Sequence, residues 1–124
     1  MFKMVDLMLR LYPKIDEIRA RDAAPLAEKG EIVLIDVREP REIARFGKCK
    51  GAIEVPMHMI RHKADPNGPH FDPALDPART FAIYCENGAR SLAAARIMKK
   101  LGYEKVYNMG SFLEWLNARL PVEK

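Results

Sequence analysis

Short apolar runs alternate along this chain with stretches that carry helical periodicity. Ile32-Val33-Leu34-Ile35 is continuous, apolar and mostly β-branched, as a parallel strand covered on both faces should be. Thr80 to Tyr84 repeats the pattern and runs straight into Cys85. Lys14–Ile18, Ala52–Val55 and Lys105–Asn108 predict further, shorter strands. Between them, Asp22–Lys29 predicts a helix ending at Gly30, with Pro25 tolerated in its first turn. Helices are also expected at Pro40–Arg45, as one turn at Pro56–His62, at the Ala-rich Ser91–Leu101 before Gly102, and at Ser111–Leu120 before Pro121. Strands separated by helices imply an α/β fold, a parallel sheet covered on both sides, with ligands at the carboxyl ends of its strands. Cys85 lies at one of those ends.

Two segments fall outside that alternation. Val5, Met8, Leu9 and Tyr12 recur at helical spacing, so residues 1–14 are expected to form a helical extension ahead of a domain over 15–124. Its apolar face would pack on the domain or on a second copy of the chain, as a homodimer. Lys63–Arg79 has no periodicity and contains Pro66, Pro69, Pro73 and Pro77, which suits a lid over a site or a plain connector. The length of 124 residues fits one domain with its own core.

Charge narrows the partners. The net +4 is spread along the chain and interleaved with acids, which favours small anionic molecules over nucleic acid. No apolar run approaches the roughly 18 residues of a membrane span, and Asp6 and Arg10 interrupt the N-terminal apolar residues before a signal peptide could form. No membrane partner is expected. A cytoplasmic location follows, where two cysteines suggest chemistry or burial before a disulfide.

The chemistry concentrates at Cys85-Glu86-Asn87-Gly88-Ala89-Arg90-Ser91. A strand ending in Cys, a turn at Gly88 and a helix starting at Ser91 would ring the sulfur with backbone N–H groups, lowering the thiol pKa and favouring the thiolate. Arg90 offers a cation to an anionic donor. Only four residues separate Cys85 from Arg90. The longer spacing of cysteine-dependent phosphatases makes a cradle wide enough for a phosphate, whereas this tighter ring suits one extra sulfur atom, a persulfide.

These features resemble the rhodanese homology domain over Ile18 to Val122. The motifs are Asp36-Val37-Arg38-Glu39 with Glu42, Gly51-Ala52-Ile53 with Pro56, the Cys85 to Ser91 loop, Gly102-Tyr103 with Val106, and Gly110 with Trp115. The resemblance implies a rhodanese-like three-layer α/β/α fold with a five-stranded parallel sheet. It also implies a sulfurtransferase in which Cys85 takes sulfane sulfur from thiosulfate or a persulfide, and cyanide, a thiol or a protein acceptor removes it. Glu86 to Ser91 would form the cradle, with Asp36 supporting the loop and Arg38 playing a structural part. The covalent Cys85 persulfide replaces any metal or organic cofactor.

Against the family pattern, Glu86 stands where a basic or neutral residue is common, so thiosulfate is expected to be a poor donor. Gly47-Lys48-Cys49-Lys50-Gly51 replaces Gly-His-Ile-Pro-Gly, and Gly110-Ser111 replaces Gly-Gly. Cys49 is read as a small buried residue, the alternative being a thiol that resolves the persulfide or forms a disulfide with Cys85. Lys48 and Lys50 could attract an anion but are read as solvated. His58, His62 and His70 could approach a zinc site, yet the motif lacks a fixed third ligand, so no metal is expected. Two other functions stay open: a rhodanese-like module that binds a protein without catalysis, and a cysteine-dependent phosphatase or arsenate reductase.

Overall fold

The computed structural model describes residues 3–124; Met1 and Phe2 of the expected extension lie outside them. In chain order the elements are α1 (Met4–Leu11), β1 (Asp16–Glu17), α2 (Ala20–Glu28), β2 (Val33–Asp36), α3 (Pro40–Phe46), β3 (Lys48–Cys49) and β4 (Ile53–Glu54). There follow α4 (Ile60–Lys63), β5 (Phe81–Cys85), α5 (Ala89–Lys100), β6 (Val106–Ser111), α6 (Phe112–Asn117) and β7 (Val122–Glu123). Five strands form one parallel sheet in the order β1-β6-β5-β2-β4, as expected for the α/β fold, with β5 at its centre.

Alternation along β5 divides the core. Phe81, Ile83 and Cys85 face one side, where Ile60 and Ala64 from the α4 region and Ala94, Ala95 and Met98 of α5 cover them. Ala82 and Tyr84 face the other, against Ala20 and Ala23 of α2 and Phe112 and Trp115 of α6. Cys49 packs on this second side, so the two cysteines are separated by the sheet; both are free. Each fully buried Ile or Phe in these layers contributes about 1.5–3 kcal/mol relative to exposure.

Two features depart from the sequence expectation, and the Lys63–Arg79 segment takes one of its two expected forms. β3 and β7 form an antiparallel pair, Lys48 opposite Glu123 and Cys49 opposite Val122, which ties the C-terminal tail to the β3–β4 turn. Neither two-residue strand carries a local signal. Gly47 leads into β3 with φ +81°, and a Cβ there would stand 2.7 Å from the Glu123 carbonyl oxygen. Lys63–Arg79 is a packed connector. Leu75, in a 3₁₀ turn at Pro73–Leu75, is fully buried in the first layer, and its carbonyl accepts from the Tyr103 hydroxyl. Asp65, Asp72 and Asp76 cap local turns by accepting from the N–H groups of Asn67, Ala74 and Ala78. Finally, α5 begins at Ala89 instead of Ser91, which places Ser91 inside the first turn, where N–H groups lack intrahelical partners.

Helix α1 leaves Met4, Val5, Leu7, Met8 and Leu11 exposed. No described helix is long and apolar enough to cross a membrane.

Candidate active site

Cys85 ends the central strand, fully buried on the α5 side, and the chain turns beneath its sulfur. The turn depends on Gly88, whose φ of +94° few side chains tolerate. It aims the Gly88 N–H at Cys85 Sγ, 3.0 Å away, and the Ser91 N–H follows at 3.4 Å. The Ser91 hydroxyl lies 3.5 Å from the sulfur and Asn87 Oδ1 at 3.9 Å. Burial alone would push the thiol up. The Ser91 hydroxyl and the backbone N–H groups of Ser91, Gly88 and Asn87 outweigh it and bring Cys85 below its ordinary value. Cys49 behaves oppositely: burial pushes its thiol up to about 12, while its N–H donates to the Tyr84 hydroxyl at 2.9 Å.

The rest of the loop divides between cradle and rim. Ala89 sits at the helix start, its N–H bonded to Asn87 Oδ1 at 3.1 Å. Glu86 lies on the rim with about half its side chain exposed, and its Oε2 is 3.6 Å from Arg38 Nη1.

Arg90 is placed differently from the sequence expectation. Its guanidinium is committed to both oxygens of Glu42 at 2.6 and 2.9 Å, so it does not present a free fork to an anionic donor. Glu42 also accepts from the Glu39 N–H as part of a capping box at the start of α3, and one carboxylate thereby joins that helix to the active loop. Arg90, followed by a smaller contribution from the Glu39 N–H, holds the Glu42 carboxyl down at about 2 despite burial, which alone would raise it. With a folded value below the unfolded one, the pair stabilises fully above about pH 4.5 and loses that contribution as pH falls toward 2. Glu42→Gln is expected to lower the urea midpoint near pH 6 by the equivalent of about 1 kcal/mol, with the gap from wild type closing as pH is lowered through 4 and 3. A gap independent of pH would remove the ion pair from the explanation.

Arg38 and Asp36 form a buried ion pair. Both are fully buried. Arg38 Nε bonds both Asp36 oxygens at 3.1 and 3.2 Å, Nη2 bonds Asp36 Oδ2 at 2.8 Å and the Gly47 carbonyl at 2.7 Å, and the Arg38 N–H bonds Asp36 Oδ1 at 2.9 Å. The guanidinium lies 4.1 Å from the centre of the Phe112 ring. Its Nη1 is left without a hydrogen bond.

One residue that sequence reasoning missed is Asn108. Its Oδ1 accepts from the Ser91 hydroxyl at 2.7 Å and the Gly110 N–H at 3.0 Å, and its Nδ2 reaches the Gly88 carbonyl at 3.4 Å. A register shift between Ile83 and Tyr84 pairs Asn108 with Ile83 and Gly110 with Tyr84. Asn108 thereby orients Ser91 from beneath. A buried Asn within an otherwise apolar strand was the available signal, because such a group needs partners.

The histidines do not gather. His58 Nδ1 lies 3.6 Å from Glu39, and the His62 and His70 rings meet edge-on with centroids 6.5 Å apart. Among the described residues, no group of three or more His, Cys, Asp or Glu is arranged to hold a metal ion.

Two backbone N–H groups thus converge on a buried thiol at the end of the central parallel strand. Residues 20–118 match the family model of the rhodanese-like domain, and the chain belongs to that family. A sulfurtransferase from Allochromatium vinosum is 34% identical over 98 residues, covering 78% of this chain and 83% of its own. Thiosulfate sulfurtransferase 18 from Arabidopsis thaliana is 30% identical over 119 residues, covering 88% and 86%. A solved structure from Rhodopseudomonas palustris, of a protein of unknown function described as a possible tyrosine phosphatase, has a TM-score of 0.82 at 30% identity and covers 98% of this chain and 95% of its own. The family is that of the rhodanese-type sulfurtransferases.

Proposed function

We propose that this protein transfers sulfane sulfur through a persulfide on Cys85. The observation that carries the proposal is the convergence of the Gly88 and Ser91 N–H groups on one sulfur atom. In the first step the Cys85 thiolate attacks the outer sulfur of a donor. A Cys85 S–S bond forms, the donor S–S bond breaks, and its electron pair leaves with sulfite or a thiolate. In the second, a thiol or cyanide attacks the outer sulfur of the persulfide, forming a new persulfide or thiocyanate and returning Cys85 as thiolate. The amides receive negative charge at the start and the end of the cycle, so they favour both the attacking thiolate and its regeneration. The cycle needs no metal or organic cofactor.

Phosphoryl transfer is disfavoured because the one loop cation able to grip a phosphate bidentately, Arg90, is held by Glu42. A purely binding module would not need a lowered thiol pKa.

Alkylation separates the activated thiol from the module. Near pH 6, iodoacetamide is expected to label Cys85 and to leave Cys49 unmodified. In Ser91→Ala, which removes the hydroxyl, the pH midpoint of Cys85 labelling is expected to rise. Labelling of Cys85 only at the pH of an ordinary thiol would contradict the proposal.

A further inference from the structure

The proposed sulfur transfer leaves the donor undefined, and the charges at the mouth define it further. Of the cations near the motifs, Arg38, Lys48, Lys50 and Arg90 are each accounted for by a partner or by their place. Arg90 is paired with Glu42, and Arg38 is buried against Asp36. Lys48 Nζ is bonded to the Ala52 carbonyl at 2.8 Å and to Glu54 at 3.1 Å. Lys50 lines a cavity with Trp115 and Leu120, beside the second core layer, on the side of the sheet away from Cys85. With Asp36 and Arg38 cancelling, and Glu42 and Arg90 cancelling, the charge left in the loop is the Glu86 carboxylate together with the Cys85 thiolate.

Glu86 is also held in place. Arg38 Nη1 is buried and has no hydrogen bond, and the carboxylate 3.6 Å from it is that of Glu86. Arg38 is itself fixed by Asp36, the Gly47 carbonyl and the Phe112 ring. The acid one residue after Cys85 therefore lies beside a buried cation. Glu39 lines a separate cavity with Arg61 and His62, and His58 lies 3.6 Å from it.

We propose that Glu86, held by Arg38, selects the sulfur donor, and that the preferred donor is an alkyl persulfide carrying an ammonium beside its sulfane sulfur, an aminothiol persulfide. The proposal rests on the sulfur-transfer reading and specifies its substrate. In the transfer, the Cys85 thiolate takes the outer sulfur of the donor, the donor S–S bond breaks, and the aminothiolate leaves with the electron pair and takes up a proton from water. Its ammonium meets Glu86 as the donor approaches. A dianion such as thiosulfate meets two negative charges instead.

The test measures loading of Cys85 by intact mass under single-turnover conditions with two donors of matched size, the persulfides of cysteamine and of 3-mercaptopropionate, in wild type and Glu86→Gln. The cationic donor is expected to load the wild type about tenfold faster than the anionic one, the scale of one charge pair at contact in a water-exposed site. That ratio should collapse toward one in Glu86→Gln, and in the wild type it should shrink when salt is raised from about 0.02 M to about 0.5 M. The salt series needs no variant and stands even if Glu86→Gln folds poorly. Loading by both donors with no preference for the cation, or a preference that survives both high salt and Glu86→Gln, overturns the assignment to Glu86 and leaves sulfur transfer standing. Absence of a sulfur adduct with either donor overturns sulfur transfer, and the donor proposal falls with it.

Discussion

Replacing Cys85 with serine is expected to reduce sulfur transfer to cyanide by about a thousandfold or more, because the covalent step has no substitute nucleophile. Cys49 cannot take over. It lies on the opposite face of the sheet, fully buried, with its thiol pushed up to about 12. The substitution should spare the fold, since a serine oxygen can accept the Gly88 and Ser91 N–H bonds that the sulfur accepts now. Thiocyanate formation measured alongside thermal unfolding separates the two effects. Retained turnover would show that the sulfur is carried elsewhere.

Asp36→Ala is expected to produce the largest loss of stability of any substitution near the site. Asp36 and Arg38 are both fully buried and joined by three side-chain hydrogen bonds, so removing the carboxylate strands a cation in the core. Breaking one half of a buried pair costs about 3–5 kcal/mol, which for a chain of this size lowers Tm by roughly 10 °C or more. Asp36→Asn keeps an acceptor for Arg38 and should lose less. Equal and small losses in both variants, below about 1 kcal/mol, would mean that Arg38 relaxes to solvent and that the pair does not support the loop.

The β/α alternation was legible because buried parallel strands are written as continuous apolar runs, as at Ile32–Ile35 and Phe81–Tyr84, and because Gly30, Gly102 and Pro121 punctuate the helices. The turn after Cys85 was legible for a similar reason: the strand end, Gly88 and a helix start that falls two residues earlier than expected are contiguous. Pairings that close in space alone were not. The partner of Arg90 lies 48 residues away, and Arg90 alone suggested a free anion binder. A local clue existed in Glu39 and Glu42, whose spacing is that of a capping box and whose second member holds Arg90. The β3–β7 pair joins two-residue strands from distant parts of the chain, too short for any periodicity. Lys63–Arg79 looked open because its prolines and aspartates mark turns, a pattern that does not reveal that Leu75 anchors the segment in the core.

The central claim, a persulfide on Cys85, is tested most directly by intact-protein mass spectrometry. Wild type and Cys85→Ser are incubated with a thiol persulfide, cleared of donor, and then treated with cyanide. The account predicts a gain of one sulfur, about 32 Da, on the wild type alone, discharged by cyanide as thiocyanate. An unmodified wild type, or an adduct that persists in Cys85→Ser, would contradict it.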